Sequence, residues 1–223
     1  MAKALIVGNW KNYVTSLKEA KKLFKDIEKA LPRKVMSDVV ICPPFPFIES
    51  IAGGYRGERI ALGGQDAHFE VGAATGTVSV PALKSIGAKY VILGHAERRA
   101  MGETDEVVSK KVGAVLDAKL TPIVCIGESA RDREGHYLEE LRKSLKNSLA
   151  TAQIKDLKKL IIAYEPVWAS GTGKKAQPEQ AQEIHEAIRR ELNSQDGPET
   201  AQAIRVIYGG SVTPENSPTL MVQ

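Results

Sequence analysis

The sequence predicts an α/β fold built on a parallel sheet, and three observations support this prediction. Seven short apolar runs, rich in β-branched residues, alternate with longer amphipathic segments along the 223 residues. The runs are nearly continuous in apolar character, as expected for strands that are buried on both faces of a parallel sheet. Their starts lie about 33 residues apart on average, a spacing typical of successive βα units. Such units build either a doubly wound sheet or an eightfold (β/α) barrel.

The seven apolar runs are the predicted strands. They cover Ala4–Gly8, Asp38–Cys42, Ile60–Gly63, Tyr90–Leu93, Thr121–Ile126, Lys159–Tyr164 and Ile204–Tyr208. Helical periodicity is clearest in Ser16–Ala30, Thr104–Ala118, Gly135–Ala152 and Pro178–Asn193. Ser16 is followed three residues later by Glu19, and Thr104 is followed by two acidic residues, both of which are typical helix starts. At this spacing an eighth strand would fall beyond the last residue, so we expect one domain over residues 1–223 with seven βα units.

Composition excludes several classes of function. Hydrophobic residues make up 43% of the chain and charged residues 26%, values usual for a globular domain. The net charge is only +4, and basic residues alternate with acidic ones on helical segments, so we expect no nucleic-acid partner. We expect neither a membrane span nor a secretory signal, because long apolar runs are absent from the sequence. Cys42 and Cys125 lie in apolar runs without the spacing of metal ligands, which favours buried thiols in a cytoplasmic protein.

Polar side chains follow the first and fourth predicted strands. In barrels of βα units, the carboxyl ends of the strands carry the reactive groups. The motif GNWK, residues 8–11, offers an amide and a cation to an anionic or carbonyl substrate. The motif GHAERR, residues 94–99, holds a histidine, a carboxylate and two guanidinium groups, which must be satisfied by one another or by a ligand. Each motif alone would more often be an ordinary surface loop.

A carboxylate and a candidate lid follow the sixth predicted strand. Glu165 comes directly after the apolar run LIIAY, where partial desolvation is expected to raise the carboxyl pKa towards the range of a general base. Pro166, three apolar residues and then Gly171 have the composition of a hinged lid that excludes water. After the seventh strand, the motif YGGSV, residues 208–212, presents backbone N–H groups and a hydroxyl that suit a phosphate group.

Taken together, GNWK, GHAERR, AYEPVWASGTGK and YGGSV resemble the triosephosphate isomerase family in order and spacing. The likeness runs from Ala4 to the end of the chain and includes the segments GQDAHFEVGAATG and IVCIGE. It implies a (β/α)8 TIM barrel, here lacking the last β/α unit, and a cytoplasmic isomerase of glycolysis and gluconeogenesis. The implied reaction interconverts dihydroxyacetone phosphate and glyceraldehyde 3-phosphate through an enediolate. Such a proton transfer needs no metal and no organic cofactor.

The resemblance also implies roles for individual residues. Glu165 matches the base that moves a proton between adjacent carbons, and His95 matches the neutral electrophile that polarises the carbonyl group. Lys11 matches the cation that holds the substrate, with Asn9 beside it, and Glu97 matches a buried partner near Lys11. Matches to the phosphate contacts are Gly171, Gly210 and Ser211, and residues 166–176 match the lid.

Departures from the family pattern bear on assembly and activity. Ala96 stands where a serine is usual, Ala74 stands where a bulky side chain is common, and Arg99–Glu103 lacks an aromatic residue. The last two lie where the family has its dimer interface, so we expect a homo-oligomer that is either a dimer or an altered assembly. Because the eighth strand and its phosphate loop are missing, a shortened, weakly active or inactive barrel is an alternative. Another phosphate-binding barrel, for example of the aldolase or indole-glycerol-phosphate type, is disfavoured because no Schiff-base lysine is obvious at the end of a middle strand.

Overall fold

The computed structural model describes residues 3–169 and 176–221. The chain forms two compact units, one made of Met1–Leu93 and Ala114–Pro122 and the other of Gly94–Gly113 and Ile123–Gln223. The strands are β1 (Leu5–Asn9), β2 (Asp38–Cys42), β3 (Ala61–Gly64), β4 (Tyr90–Leu93), β5 (Thr121–Ile126), β6 (Ile161–Tyr164) and β7 (Arg205–Tyr208). The helices are α1 (Leu17–Ala30), α2 (Phe45–Gly54), α3 (Val80–Ser85), α4 (Ala96–Ala100), α5 (Asp105–Asp117), α6 (His136–Ser148), α7 (Ile154–Leu157), α8 (Pro178–Asp196), α9 (Pro198–Ala203) and α10 (Ser217–Leu220), with a 3₁₀ turn at Val167–Ala169.

The seven predicted strands are all confirmed. The bounds of β2, β4 and β5 are those predicted, and the other four differ by one or two residues at one or both ends. The four predicted helices correspond to α1, α5, α6 and α8. Helix α1 begins after Ser16 because the serine hydroxyl accepts the N–H of Glu19 at 3.2 Å. Helix α6 ends four residues earlier than predicted, and just beyond it the Ser109 hydroxyl accepts the N–H of Thr151 at 2.9 Å.

In the first unit, β1 to β4 run parallel, each paired with the next strand in the chain. Register pairs are Leu5 with Asp38, Val40 with Ala61, and Gly63 with Tyr90. Residues 39–42 of β2 are all buried, as predicted for a strand covered on both faces. Helix α1 buries Ala20 and Phe24, which lie four residues apart and so share one helix face. Buried apolar residues of the first unit therefore lie both on β2 and on one face of α1.

In the second unit, β5 to β7 are parallel and their carboxyl ends are level. Ile126 pairs with Tyr164, and Tyr164 pairs with Tyr208. The residues that come next, Gly127, Glu165 and Gly209, therefore follow adjacent strands at the same level. Helix α8 packs against β6 and β7. It carries four buried apolar residues at helical spacing, namely Ala181, Ile184, Ile188 and Leu192.

The structure also bears on what was predicted for the two cysteines and for membrane-spanning segments. Cys42 and Cys125 are buried, as predicted, and neither belongs to a disulfide in the described part of the chain. Burial raises the pKa of the Cys42 thiol to about 12, which keeps the group protonated at neutral pH. Within residues 3–169 and 176–221, none of the helices combines the length and the apolar composition that crossing a bilayer requires.

Candidate active site

Glu165 is fixed at the end of β6 by its neighbours on both sides. Its backbone N–H donates to the carbonyl of Ile126 at 2.8 Å, and the N–H of Gly209 donates to the carbonyl of Tyr164 at 2.7 Å. A Cβ atom on Gly127 would lie 1.7 Å from the carbonyl oxygen of Glu165, and a Cβ atom on Gly209 would lie 3.0 Å from its Cγ. Because both positions are glycine, Glu165 has room between the residues that follow β5 and β7.

The imidazole of His95 faces the carboxylate of Glu165. His95 caps helix α4, and its Nδ1 accepts the backbone N–H of Glu97 at 3.2 Å. Because Nδ1 acts as an acceptor, the neutral imidazole carries its hydrogen on Nε2. Nε2 lies 3.2 Å from Oε1 of Glu165, and the backbone N–H of Ala96 donates to Oε2 at 2.8 Å. The side chain of Glu165 is only 7% exposed, so a carboxylate and an N–H donor converge in largely dry surroundings.

Glu97 lies beside His95 but differs from the buried partner that the resemblance implies. Its side chain is 59% exposed, and its Oε2 atom lies 3.8 Å from Nδ1 of His95. The closer contact with His95 comes from the backbone N–H of Glu97. Glu97 therefore contributes to the site through its backbone N–H, a donor that every residue type except proline has.

In the first unit, Asn9 is the last residue of β1 and Lys11 lies in the turn that follows. Lys11 has a φ of 49°, a left-handed conformation that costs a residue with a side chain about 1–2 kcal/mol. Asn9 compensates, because its Oδ1 accepts the N–H of Lys11 at 2.9 Å. The side-chain amide of Gln65 donates to the carbonyls of Lys11 at 2.8 Å and Cys42 at 2.9 Å. Backbone strain of this kind concentrates at functional sites, and nothing in the sequence around Gln65 indicated that it holds this turn.

Gly210 and Ser211 follow β7, at the carboxyl end where the phosphate contacts were predicted. A Cβ atom on Gly210 would overlap the hydroxyl of Tyr208 and would lie 3.0 Å from Cγ of Pro166. Ser211 is exposed, and its carbonyl accepts the side-chain amide of Asn216 at 3.0 Å. The third predicted phosphate contact, Gly171, and the lid segment 170–175 lie outside the described residues.

The described start of the predicted lid is anchored on Glu128. The hydroxyl of Tyr164 and the indole N–H of Trp168 both donate to its Oε1 at 2.8 Å, and Nε of Arg131 donates to the same oxygen at 2.9 Å. Burial and the nearby Glu128 carboxylate raise the pKa of the Tyr164 hydroxyl, which keeps it a donor. The IVCIGE segment contains Glu128, but no pattern in this segment indicated that three donors meet there.

Comparison with known proteins agrees with this arrangement. The model of the triosephosphate isomerase family matches residues 4–223. Proteins named triosephosphate isomerase from Moorella thermoacetica and Carboxydothermus hydrogenoformans are each 44% identical to the chain, over all of it and 90% of each relative. One from Solibacter usitatus is 42% identical with the same coverage. Together with the seven parallel strands of the described residues, these matches confirm the α/β fold class of the TIM barrel. The chain belongs to the triosephosphate isomerase family.

Proposed function

We propose that the chain interconverts dihydroxyacetone phosphate and glyceraldehyde 3-phosphate as an intramolecular aldose–ketose isomerase. The observation that carries the proposal is the 3.2 Å separation between Nε2 of His95 and Oε1 of Glu165. Removing a proton from carbon next to a carbonyl group requires a base at the carbon and a donor at the carbonyl oxygen. The buried carboxylate and the imidazole N–H are of those two types.

Glu165 is the base in this proposal. Its Oε2 is held by the N–H of Ala96 and its Oε1 faces His95. When the substrate binds, its carbonyl oxygen accepts the hydrogen on Nε2 of His95 in place of Oε1 of Glu165. Oε1 is then able to take the proton from the carbon next to that carbonyl group. Negative charge then moves onto the carbonyl oxygen, where the N–H of the neutral imidazole stabilises the enediolate. Glu165 returns the proton to the neighbouring carbon, and the proton of the adjacent hydroxyl group moves to the former carbonyl oxygen. These two transfers complete the isomerisation without any change of oxidation state overall.

The remaining site residues bind the substrate. Lys11, next to Asn9, supplies the cation that attracts the anionic substrate and offsets the charge of the enediolate. Glu97 acts on His95 through its backbone N–H, which keeps the imidazole in the tautomer with hydrogen on Nε2. The proposed phosphate contacts are Gly171, Gly210 and Ser211.

We also propose a single barrel domain over residues 1–223, a homo-oligomer and a cytoplasmic location. The family match over residues 4–223 supports the single domain. Tyr13, Val71 and Met101 are large, strongly exposed apolar side chains, and contact with another copy of the chain would remove such surface from water. Buried cysteines outside disulfides in the described residues accord with a reducing compartment. Light scattering tests the assembly, since a mass equal to one chain would contradict it.

A coupled assay of glyceraldehyde 3-phosphate isomerisation tests the proposed function. Glu165→Gln keeps the shape of the side chain but removes the base, so kcat should fall by at least about 10²–10⁴-fold while KM changes far less. Glu139→Gln is a matched control, because Glu139 lies exposed on α6 and pairs with Arg142 at 2.7 Å. Its kcat should equal that of the parent. An inactive parent protein, or a Glu165→Gln variant with more than half of the parental kcat, would contradict the proposal.

A further inference from the structure

Arg99 binds the main chain of the turn that presents His95. It lies in α4, and its Nε donates to the carbonyl oxygen of Gly94 at 2.8 Å. One of its terminal nitrogens donates to the carbonyl oxygen of Cys125, on β5, at 3.2 Å. The peptide carbonyl of Gly94 directly precedes His95, so its orientation helps to set the direction in which the imidazole leaves the main chain.

The space around Gly94 is filled by the same guanidinium group. Gly94 has a φ of 69°, and a Cβ atom there would lie 2.9 Å from Nη2 of Arg99 and 3.0 Å from Cγ2 of Val108. A left-handed glycine therefore allows the main chain to approach Arg99 closely. This close approach leaves the turn little room to move while the guanidinium group is in place.

The guanidinium group is itself held in a fixed orientation. Its Nη1 pairs with Oδ1 of Asp105 at 2.6 Å, and its Nη2 donates to the hydroxyl of Ser148 at 3.1 Å. Oδ1 of Asp105 also accepts the hydroxyls of Ser144 and Ser148 at 2.9 Å each. A planar fork can bind partners on α5, β5 and α6 and the Gly94 carbonyl at once, whereas a lysine ammonium is a point charge on a flexible chain.

We propose that Arg99 is a positioning residue for the catalytic pair His95 and Glu165. It holds Gly94, which precedes His95, and Cys125, which precedes the Ile126 carbonyl that binds the N–H of Glu165. One side chain thus fixes the main chain next to both members of the pair. The inference rests on the proposed function, because positioning matters only if the pair carries out the proton transfer.

The test compares Arg99→Lys with Arg189→Lys. Arg189 is a matched control, because its Nη1 also donates to two main-chain carbonyls, those of Ala201 at 2.8 Å and Ile204 at 3.2 Å. Ala201 lies in α9 and Ile204 directly precedes β7, so both carbonyls come before this strand and not after its carboxyl end. For each purified protein, circular dichroism gives the fold and Tm, and the coupled assay gives kcat and KM. Nitrogen-15 NMR of the imidazole, assigned with His95→Gln, gives the tautomer of His95.

We expect kcat of Arg99→Lys to fall about 10²-fold, the cost of displacing a catalytic group by about 1 Å, with KM changed less than about threefold. The His95 imidazole should change from one tautomer, with hydrogen on Nε2, to a mixture of both. Arg189→Lys should have a lower Tm than the parent, whereas its kcat and the tautomer of its His95 should equal those of the parent. In Arg99→Ala, millimolar guanidinium should restore part of the lost kcat.

An Arg99→Lys protein that is folded and keeps both the parental kcat and the parental tautomer would overturn the proposal. An equal loss of kcat in Arg189→Lys would also overturn it, because the effect would then be general destabilisation. If Arg99→Lys does not fold, the charge-neutral pair Arg99→Gln with Asp105→Asn is measured in the same way and judged by the same outcomes. If the parent protein is not an isomerase, the proposed function fails, and the NMR comparison alone decides whether Arg99 positions His95.

Discussion

Gly127→Ala should disable the enzyme through a single methyl group. The added Cβ would lie 1.7 Å from the carbonyl oxygen of Glu165 and 2.8 Å from its carbonyl carbon. Ordinary van der Waals contact begins at 3.4 Å, so the two backbones must separate by about 1.7 Å along this line. The hydrogen bond from the N–H of Glu165 to Ile126, 2.8 Å long, opposes this separation. The base is therefore displaced, or the bond that fixes it is lost.

The magnitude follows from this displacement. A misplacement of about 1 Å costs a catalytic group about 10²-fold in rate, so kcat of Gly127→Ala should fall by at least that factor. Overpacking should also lower the free energy of unfolding by about 1–3 kcal/mol. The coupled assay measures kcat at a temperature well below the Tm found by circular dichroism, so that only folded protein is compared.

Gly53→Ala is the matched control for this prediction. Gly53 lies in α2, and a Cβ atom there would meet nothing within 4 Å. The same substitution should leave kcat unchanged and raise stability by about 0.4–1 kcal/mol, because alanine restricts the unfolded chain. A Gly127→Ala protein with kcat within twofold of the parent would refute the reasoning from the close approach.

Two further predictions concern stability in the second unit. Burial, and then the nearby Arg189 charge, lower the pKa of His185 from 6.5 to about 4. Between these pH values the unfolded chain takes up a proton that the folded chain does not, so His185 should lower the free energy of unfolding by about 2 kcal/mol from pH 7 to pH 5. Urea unfolding at pH 7 and pH 5 should show that His185→Gln removes this decrease in the free energy of unfolding. An equal pH dependence in the parent and in His185→Gln would contradict the prediction. Lys111 and Glu103 form an ion pair with both side chains 4% exposed. Lys111→Met should therefore cost about 3–5 kcal/mol, and the neutral pair Lys111→Met with Glu103→Gln should recover part of it in the same urea assay. A single variant as stable as the parent would rule out an energetic role for the pair.

The strands could be predicted because each is a local apolar run. The bounds of β2 agree with the prediction at both ends, since Asp38 and the prolines after Cys42 mark its limits in the sequence itself. The end of α6 could not be found in this way, because Ser109, on another helix, accepts the N–H of Thr151. A tertiary hydrogen bond of this kind leaves no mark in the periodicity of the segment.

The residues of the candidate site also divide into those that could be predicted from the sequence and those that could not. His95 and Glu165 could be named from their motifs, because titratable residues directly after apolar strands are conspicuous in a sequence. Gly127 could not be assigned a role, since its importance depends on how closely the main chain of Glu165, after β6, approaches it. The roles of Arg99 and Gln65 depend on carbonyl groups that lie far along the chain, such as those of Cys125 and Cys42 respectively. The burial that the resemblance implied for Glu97 depends on the tertiary structure around it, which leaves that side chain 59% exposed.

The central claim is that Glu165 moves a proton between adjacent carbons of a triose phosphate. Conversion of glyceraldehyde 3-phosphate in deuterium oxide, followed by proton NMR, tests it most directly. A carboxyl group that carries the proton exchanges it in part with solvent, so dihydroxyacetone phosphate should form with deuterium in part of the product, at the carbon that gains the proton. Glu165→Gln should give neither product nor deuterium above the uncatalysed background. Product that forms without deuterium in the parent, or deuterium incorporated equally by Glu165→Gln, would contradict the account.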